Sequence, residues 1–148
     1  MGDVAFVEIH IKVDLINYWL LCLILILGPR DHEDGGIYAT GIIGRTYEAG
    51  IMINTTIDIT ANHLGYFEFR LCPLDKGRSR RPRRLTQQCL DQYLLKIGPS
   101  DSKSNGDDTR YYLPHANNSY FYVPVELPSE ITSCKHCVLQ WKYHAGNT

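Results

Sequence analysis

Two runs of alternating apolar and polar residues meet at a five-residue corner, Asn62-His63-Leu64-Gly65-Tyr66, and this arrangement narrows the folds open to the chain. Before the corner, Ile51 to Thr60 places Ile at 51, 53, 57 and 59, the period of a half-buried β-strand. After it, Tyr66-Phe67-Glu68-Phe69-Arg70-Leu71 alternates again and ends on Cys72. His63 is therefore expected between two strands, where a side chain can face solvent while rigid sheet holds its backbone.

Further along, Arg110 to Leu113 and Tyr120 to Val125 read as strands separated by Pro114-His115-Ala116-Asn117-Asn118. The alternating Cys137, Leu139, Trp141 and Tyr143 suit a sandwich core, and Ile37 to Ile43 reads as a short strand. Leu85 to Ile97 reads as a short helix, with Thr86 as N-cap and Leu90, Leu94 and Leu95 on one face, stopped by Gly98-Pro99. Several short strands divided by turn signals predict a β-sandwich, and 148 residues suffice for one core.

The N-terminus has a different texture. Leu15 to Leu27 is apolar except for Asn17, shorter than the ~20 residues of a membrane span. Asp3, Glu8 and Asp14 against Lys12 give the preceding segment the wrong sign for an export signal, and no small-residue cleavage site follows. Residues 1–27 are thus read as an atypical apolar segment unrelated to the domain, and 28–148 as the domain. Membrane contact is expected only if residues 15–27 act as an anchor.

A net charge of −1 hides a local patch, because six of the fifteen Lys and Arg lie between Lys76 and Arg84 with no acid among them. No aromatic residues interleave with these charges as a single-strand nucleic-acid surface would need, so a solvated loop is favoured and no nucleic-acid partner is expected. Five cysteines, Cys22, Cys72, Cys89, Cys134 and Cys137, suggest an oxidising compartment. Cys134-Lys135-His136-Cys137 alone is a weak zinc signal without a second pair of the same spacing, and disulfides are preferred. The last four cysteines allow three connectivities, among which Cys72 with Cys89 is the first choice because one loop separates them. Asn54 and Asn117 open candidate glycosylation sequons, Asn54-Thr55-Thr56 and Asn117-Asn118-Ser119.

Several motifs now combine in order. Gly28-Pro29-Arg30-Asp31-His32-Glu33, Tyr38-Ala39-Thr40-Gly41, Ile59 to Cys72, Cys89-Leu90-Asp91 and Cys137 to Asn147 together resemble the type-4 chitin-binding domain of the animal-type lytic polysaccharide monooxygenases. The resemblance implies a secreted immunoglobulin-like (fibronectin III-like) sandwich, monomeric, lying on chitin or a related β-1,4-glucan. It also implies a copper centre that cleaves the polysaccharide oxidatively.

In that family copper is held by the amino group and ring of an N-terminal His and by the His of an Asn-His-x-Gly-Tyr motif, with an aromatic side chain on the axis. Three nitrogen donors in a T suit tetragonal Cu(II). Matching by motif makes His63 the internal metal ligand. Residue 1 here is Met, and the axial aromatic is expected beyond Thr148, so the sandwich is read as incomplete at both ends and no catalytic residue is assigned. The alternative functions are a non-catalytic glycan binder and a membrane-tethered interaction module. His144 is a candidate to orient oxygen species but stays outside the ligand set. Tyr111, Tyr112, Tyr120, Phe121 and Tyr122 are candidates for sugar stacking, with half of them expected in the core.

Overall fold

The structure, a computed structural model, describes residues 6–14, 40–75, 85–100, 106–131 and 134–146. The apolar run 15–27, Cys22 and the basic run 76–84 lie outside the described residues. In chain order the elements are β1 (Phe6–Asp14), β2 (Thr46–Glu48), β3 (Met52–Ile59), β4 (Tyr66–Pro73), the short helix α1 (Gln87–Leu90), β5 (Tyr111–Tyr112), β6 (Ser119–Glu126) and β7 (Cys134–His144). They form a five-stranded sheet in the order β2-β1-β7-β4-β5 and a two-stranded sheet of β3 and β6. Neighbours run antiparallel except β1 and β7, which are parallel. The chain is a β-sandwich, as its alternation predicted.

Period two explains the core between the sheets. In β3 the inward Ile53, Ile57 and Ile59 are buried while Met52, Asn54, Thr56 and Asp58 are exposed. Thr55 shares the inward face, and its hydroxyl donates to the Val123 carbonyl at 2.9 Å, which offsets the cost of burying it. Phe67, Phe69 and Leu71 of β4 meet Phe121, Val123 and Val125 of β6 in the same cluster. At its centre Phe67 has the rings of Tyr111, Phe121, Trp141 and Tyr143 within 5.8 Å.

β7 lies between β1 and β4, so both its edges are paired; its inner face joins the core, and on its outer face Gln140 Nε2 meets Gln87 Oε1 of α1 at 3.4 Å. Residues 137–141 are consequently all buried, where alternation alone had placed only every second one inside. On the outer face Cys72 bonds to Cys89, with Cα atoms 5.4 Å apart, and joins β4 to α1 over a small cluster with Leu90, Leu74 and Leu85.

Three local expectations shift. First, the helix is only one turn long. Thr86 does cap it, accepting from the Cys89 N–H, but from Tyr93 onward the backbone finds sheet partners instead of helical ones. Leu71 N–H donates to Tyr93 O, Leu95 N–H to Phe69 O, and Gly98 N–H to Pro124 O, so residues 93–98 lace the two sheets together. Leu94 is exposed and Leu95 buried, as neighbours in an extended segment should be.

Second, no strand spans 40–43. Gly41 turns there with φ +70°, Ile42 is exposed, and the strand begins at Thr46 instead. Third, the five-stranded sheet includes Phe6–Asp14, nine residues that the sequence reading set outside the domain. Val7, Ile9, Ile11 and Val13 do alternate with Glu8, His10, Lys12 and Asp14, but the longer apolar run that follows obscures the pattern.

Cys134 and Cys137 form the second disulfide, at the start of β7. Their thiols are therefore not available to zinc, and the intervening backbone is held by Asp75. Its carboxylate accepts from the Lys135 N–H at 2.7 Å and the His136 N–H at 3.0 Å. Asp75→Ala leaves two strand-edge donors without that acceptor and is expected to lower stability by about 2 kcal/mol. Urea unfolding measures this; an unchanged midpoint would show that water replaces the carboxylate at no cost.

Candidate functional site

The corner after β3 is built from side chains that bond to backbone. Asn62 donates through Nδ2 to the carbonyls of His115 (3.0 Å) and Asn117 (2.8 Å), and its Oδ1 accepts from the Leu64 N–H at 2.8 Å. Asn118 answers from the other side, its Oδ1 accepting from the Asn62 N–H and its Nδ2 donating to Thr60 O at 2.7 Å. A side-chain amide carries donor and acceptor on one rigid group, so two asparagines tie the corner to the turn before β6.

His63 itself is fixed at both backbone polar atoms. Its N–H donates to the Tyr143 hydroxyl at 2.9 Å, and its carbonyl accepts from the Gly146 N–H at 3.0 Å. The same hydroxyl donates onward to Leu64 O at 2.8 Å, which helps hold Leu64 in the left-handed region at φ +57°. Gly65 follows at φ +91°, and its carbonyl accepts from the Leu113 N–H. The imidazole is left exposed on a backbone that cannot drift.

Behind the corner lies a charged cluster. Tyr66 stacks on His144, with ring centroids 4.5 Å apart, and the Arg110 guanidinium sits 4.6 Å from the centre of the Tyr66 ring. Glu68, almost fully buried, draws these groups together: Arg70 Nη2 at 2.8 Å, Arg110 Nε at 3.0 Å and His144 Nε2 at 3.3 Å. Burial pushes Glu68 up, but hydrogen bonds from Arg110 and Arg70 with the charges of Arg70 and His144 outweigh it, holding the carboxyl below its ordinary value. Burial pushes His144 down; Glu68 opposes this while Lys142 and Arg70 add to it, so the ring favours its neutral form.

The aromatic candidates separate by burial. Tyr111 and Phe121 are in the core and Tyr112 is half-buried, whereas Tyr120 and Tyr122 are 59% and 68% exposed. These two share the outer face of β6, opposite Asp58 and Thr56, and Tyr120 stands two residues from Asn118. An aromatic strip thus leads away from the His63 corner.

Among the described residues no three His, Cys, Asp or Glu side chains converge on a metal-sized site. These residues do not by themselves fit a copper centre; His63 offers one imidazole. His144 is committed to Tyr66 and Glu68 on the outer sheet face. Asn118, Tyr143 and Glu68 were missed as parts of this site by sequence reasoning, since neither alternation nor spacing distinguishes a core tyrosine from one whose hydroxyl clamps a corner eighty residues away. Among the described residues no helix is long and apolar enough to cross a membrane.

A family model for lytic polysaccharide mono-oxygenase, described as cellulose-degrading, matches residues 30–148. Among solved structures, a lytic polysaccharide monooxygenase AA15 from Thermobia domestica in the Cu(I) state is similar at 34% identity and a TM-score of 0.61. The match covers 78% of this chain and 54% of that one, so the chain spans about half the length of this relative. A search of curated proteins finds no match.

Proposed function

The chain belongs to the lytic polysaccharide mono-oxygenase family, and from that premise we propose that it is a secreted polysaccharide-binding domain whose ligand is chitin or a related β-1,4-glucan. The observation that carries the reading is the pinned corner, which keeps the His63 backbone fixed and its ring in solvent, with Tyr120 and Tyr122 exposed alongside. Flat aromatic rings on a rigid strand suit the apolar faces of a neutral sugar chain, and they are already ordered before binding. In this reading His63 contributes one imidazole toward copper; no oxidative step is assigned to the described residues.

Retention on insoluble chitin and cellulose tests the binding. Replacing Tyr120 and Tyr122 together by Ala is expected to lower retention about tenfold without altering the melting temperature, because both rings are already solvated. Unchanged retention on both polymers would sink the proposed surface. Cu(II) titration followed by electron paramagnetic resonance, with His63→Ala in parallel, tests the ligand. A nitrogen-rich tetragonal spectrum lost in the variant supports it; weak binding indifferent to His63 removes copper from the reading and leaves glycan binding.

A further inference from the structure

We propose that the outer face of β3 and β6 selects β-1,4-glucans bearing free amino groups, partly deacetylated chitin in preference to cellulose, through Asp58 beside Tyr120. The proposal rests on the reading of Tyr120 and Tyr122 as the docking rings and names the class of sugar they take.

The pairing of β3 with β6 sets a polar row beside the aromatic one. Asp58 lies opposite Tyr120, Thr56 opposite Tyr122 and Asn54 opposite Pro124. Asp58, Thr56 and Asn54 are exposed, as are both rings. Side chains directly opposite in an antiparallel pair stand about 5 Å apart at Cβ, so one sugar unit can touch a ring and its polar neighbour together. A pyranose is apolar on its face and polar at its rim, and the two rows match these two surfaces.

Asp58 carries the charge of the polar row. Its carboxylate has no hydrogen-bond or ion-pair partner among the described residues. None of its neighbours on this face, Asn54, Thr56, Tyr120 and Tyr122, is basic. Glu126 is the other exposed carboxylate of the face, opposite Met52 at the far end. There residues 96–98 run beside β6: Ile97 bridges to Val125, and the Glu126 N–H donates to Lys96 O. Glu126 thus has a cation in register, Lys96, whose ammonium also stands 3.5 Å from Asp108. Asp58 has a tyrosine in register instead.

That difference selects the ligand. A carboxylate only accepts, and a hydroxyl, an acetamido N–H and an ammonium can all donate to it. A hydroxyl exchanges water for the carboxylate with little net gain. An ammonium adds its charge to the bond, and the face of the adjacent Tyr120 attracts the same cation. Ring and carboxylate together therefore favour an amino sugar over a neutral one. The pair also lies at the end of the strip nearest His63, since Asn118, two residues before Tyr120, bonds to Asn62 and Thr60.

The test measures retention of the full chain on partly deacetylated chitin, fully acetylated chitin and cellulose in mildly acidic buffer, where the amines are protonated. Asp58→Asn removes the charge and keeps the shape at an exposed site, so its melting temperature should match wild type. Wild type is expected to prefer the deacetylated polymer to cellulose about tenfold at low salt, and to lose most of that preference at about 1 M salt. Asp58→Asn should lose it at low salt, with retention on cellulose unchanged. Glu126→Gln, which removes the same charge from the far end, should keep the preference. An unchanged preference in Asp58→Asn would overturn the proposal, and equal losses in the two variants would overturn it in favour of bulk charge. The Tyr120 and Tyr122 double Ala variant separates the two readings. Weaker retention of that variant on every polymer upholds the docking face whatever Asp58 does; unchanged retention on every polymer overturns the face and this proposal with it.

Discussion

Gly65→Ala is expected to cost on the order of 3–5 kcal/mol and to prevent accumulation of the folded protein at 37 °C. Two effects combine. A Cβ at this position falls 1.9 Å from the His144 carbonyl oxygen and 2.8 Å from the Gly146 nitrogen, both backbone atoms, so no side-chain rotation relieves the contact. The residue also holds φ +91°, where an L side chain is strained whatever the space. Relief requires β7 to move away from the corner, which breaks the Gly146 to His63 hydrogen bond and loosens the exposed ring. Thermal and urea unfolding of the soluble fraction measure the loss. Gly106→Ala is the control, since it shares a positive φ, +84°, with open space around it. Equal losses in the two variants would show that backbone strain, and not the close approach, makes glycine necessary at 65.

Glu68→Ala is the second large effect, about 3 kcal/mol. The carboxylate stands between two guanidinium groups and an imidazole, and its side chain is only 5% exposed. Without it Arg70, 14% exposed, keeps a single carboxylate, Asp91 at 3.1 Å, which is itself largely in solvent and therefore a weak partner. Arg110 retains Asp107 at 3.4 Å and loses less. Glu68→Gln, which preserves shape and one acceptor, should fall between wild type and Ala. A Glu68→Ala protein as stable as wild type would mean that the arginines rearrange into water freely.

The same cluster sets a pH dependence. His144 has its folded-state pKa below the ordinary 6.5, so the unfolded chain takes up that proton first. The stability it contributes is present above pH 6.5 and declines as the pH falls below it. Glu68 is likewise held below its ordinary 4.5; its contribution is present above that value and is lost as the pH falls through the depressed one. Acidification is therefore expected to weaken the fold in two stages, and Glu68→Gln should remove the lower one. A melting temperature that stays flat as the pH falls below 6.5 would contradict the His144 assignment, and one that stays flat as it falls further below 4.5 would contradict the Glu68 assignment.

The sequence alone determined the β-sandwich class, since period-two alternation in 51–59, 66–71 and 120–125 names inward residues where one sheet face meets solvent, whereas 137–141 is buried throughout. It also marked the corner, because Gly65 and the asparagines around it are residues whose backbone preferences are local. The exposed Tyr120 and Tyr122 were legible only as part of a larger aromatic group. What the tertiary structure decided was every relation between distant segments: that Tyr143 reaches His63, that Asn118 meets Asn62, that residues 93–98 leave the helix to join both sheets, and that Phe6–Asp14 pairs with β7. Alternation says which side a residue takes, but hydrogen-bond partners in a sheet are assigned by register and strand order, and these depend on how the whole chain closes.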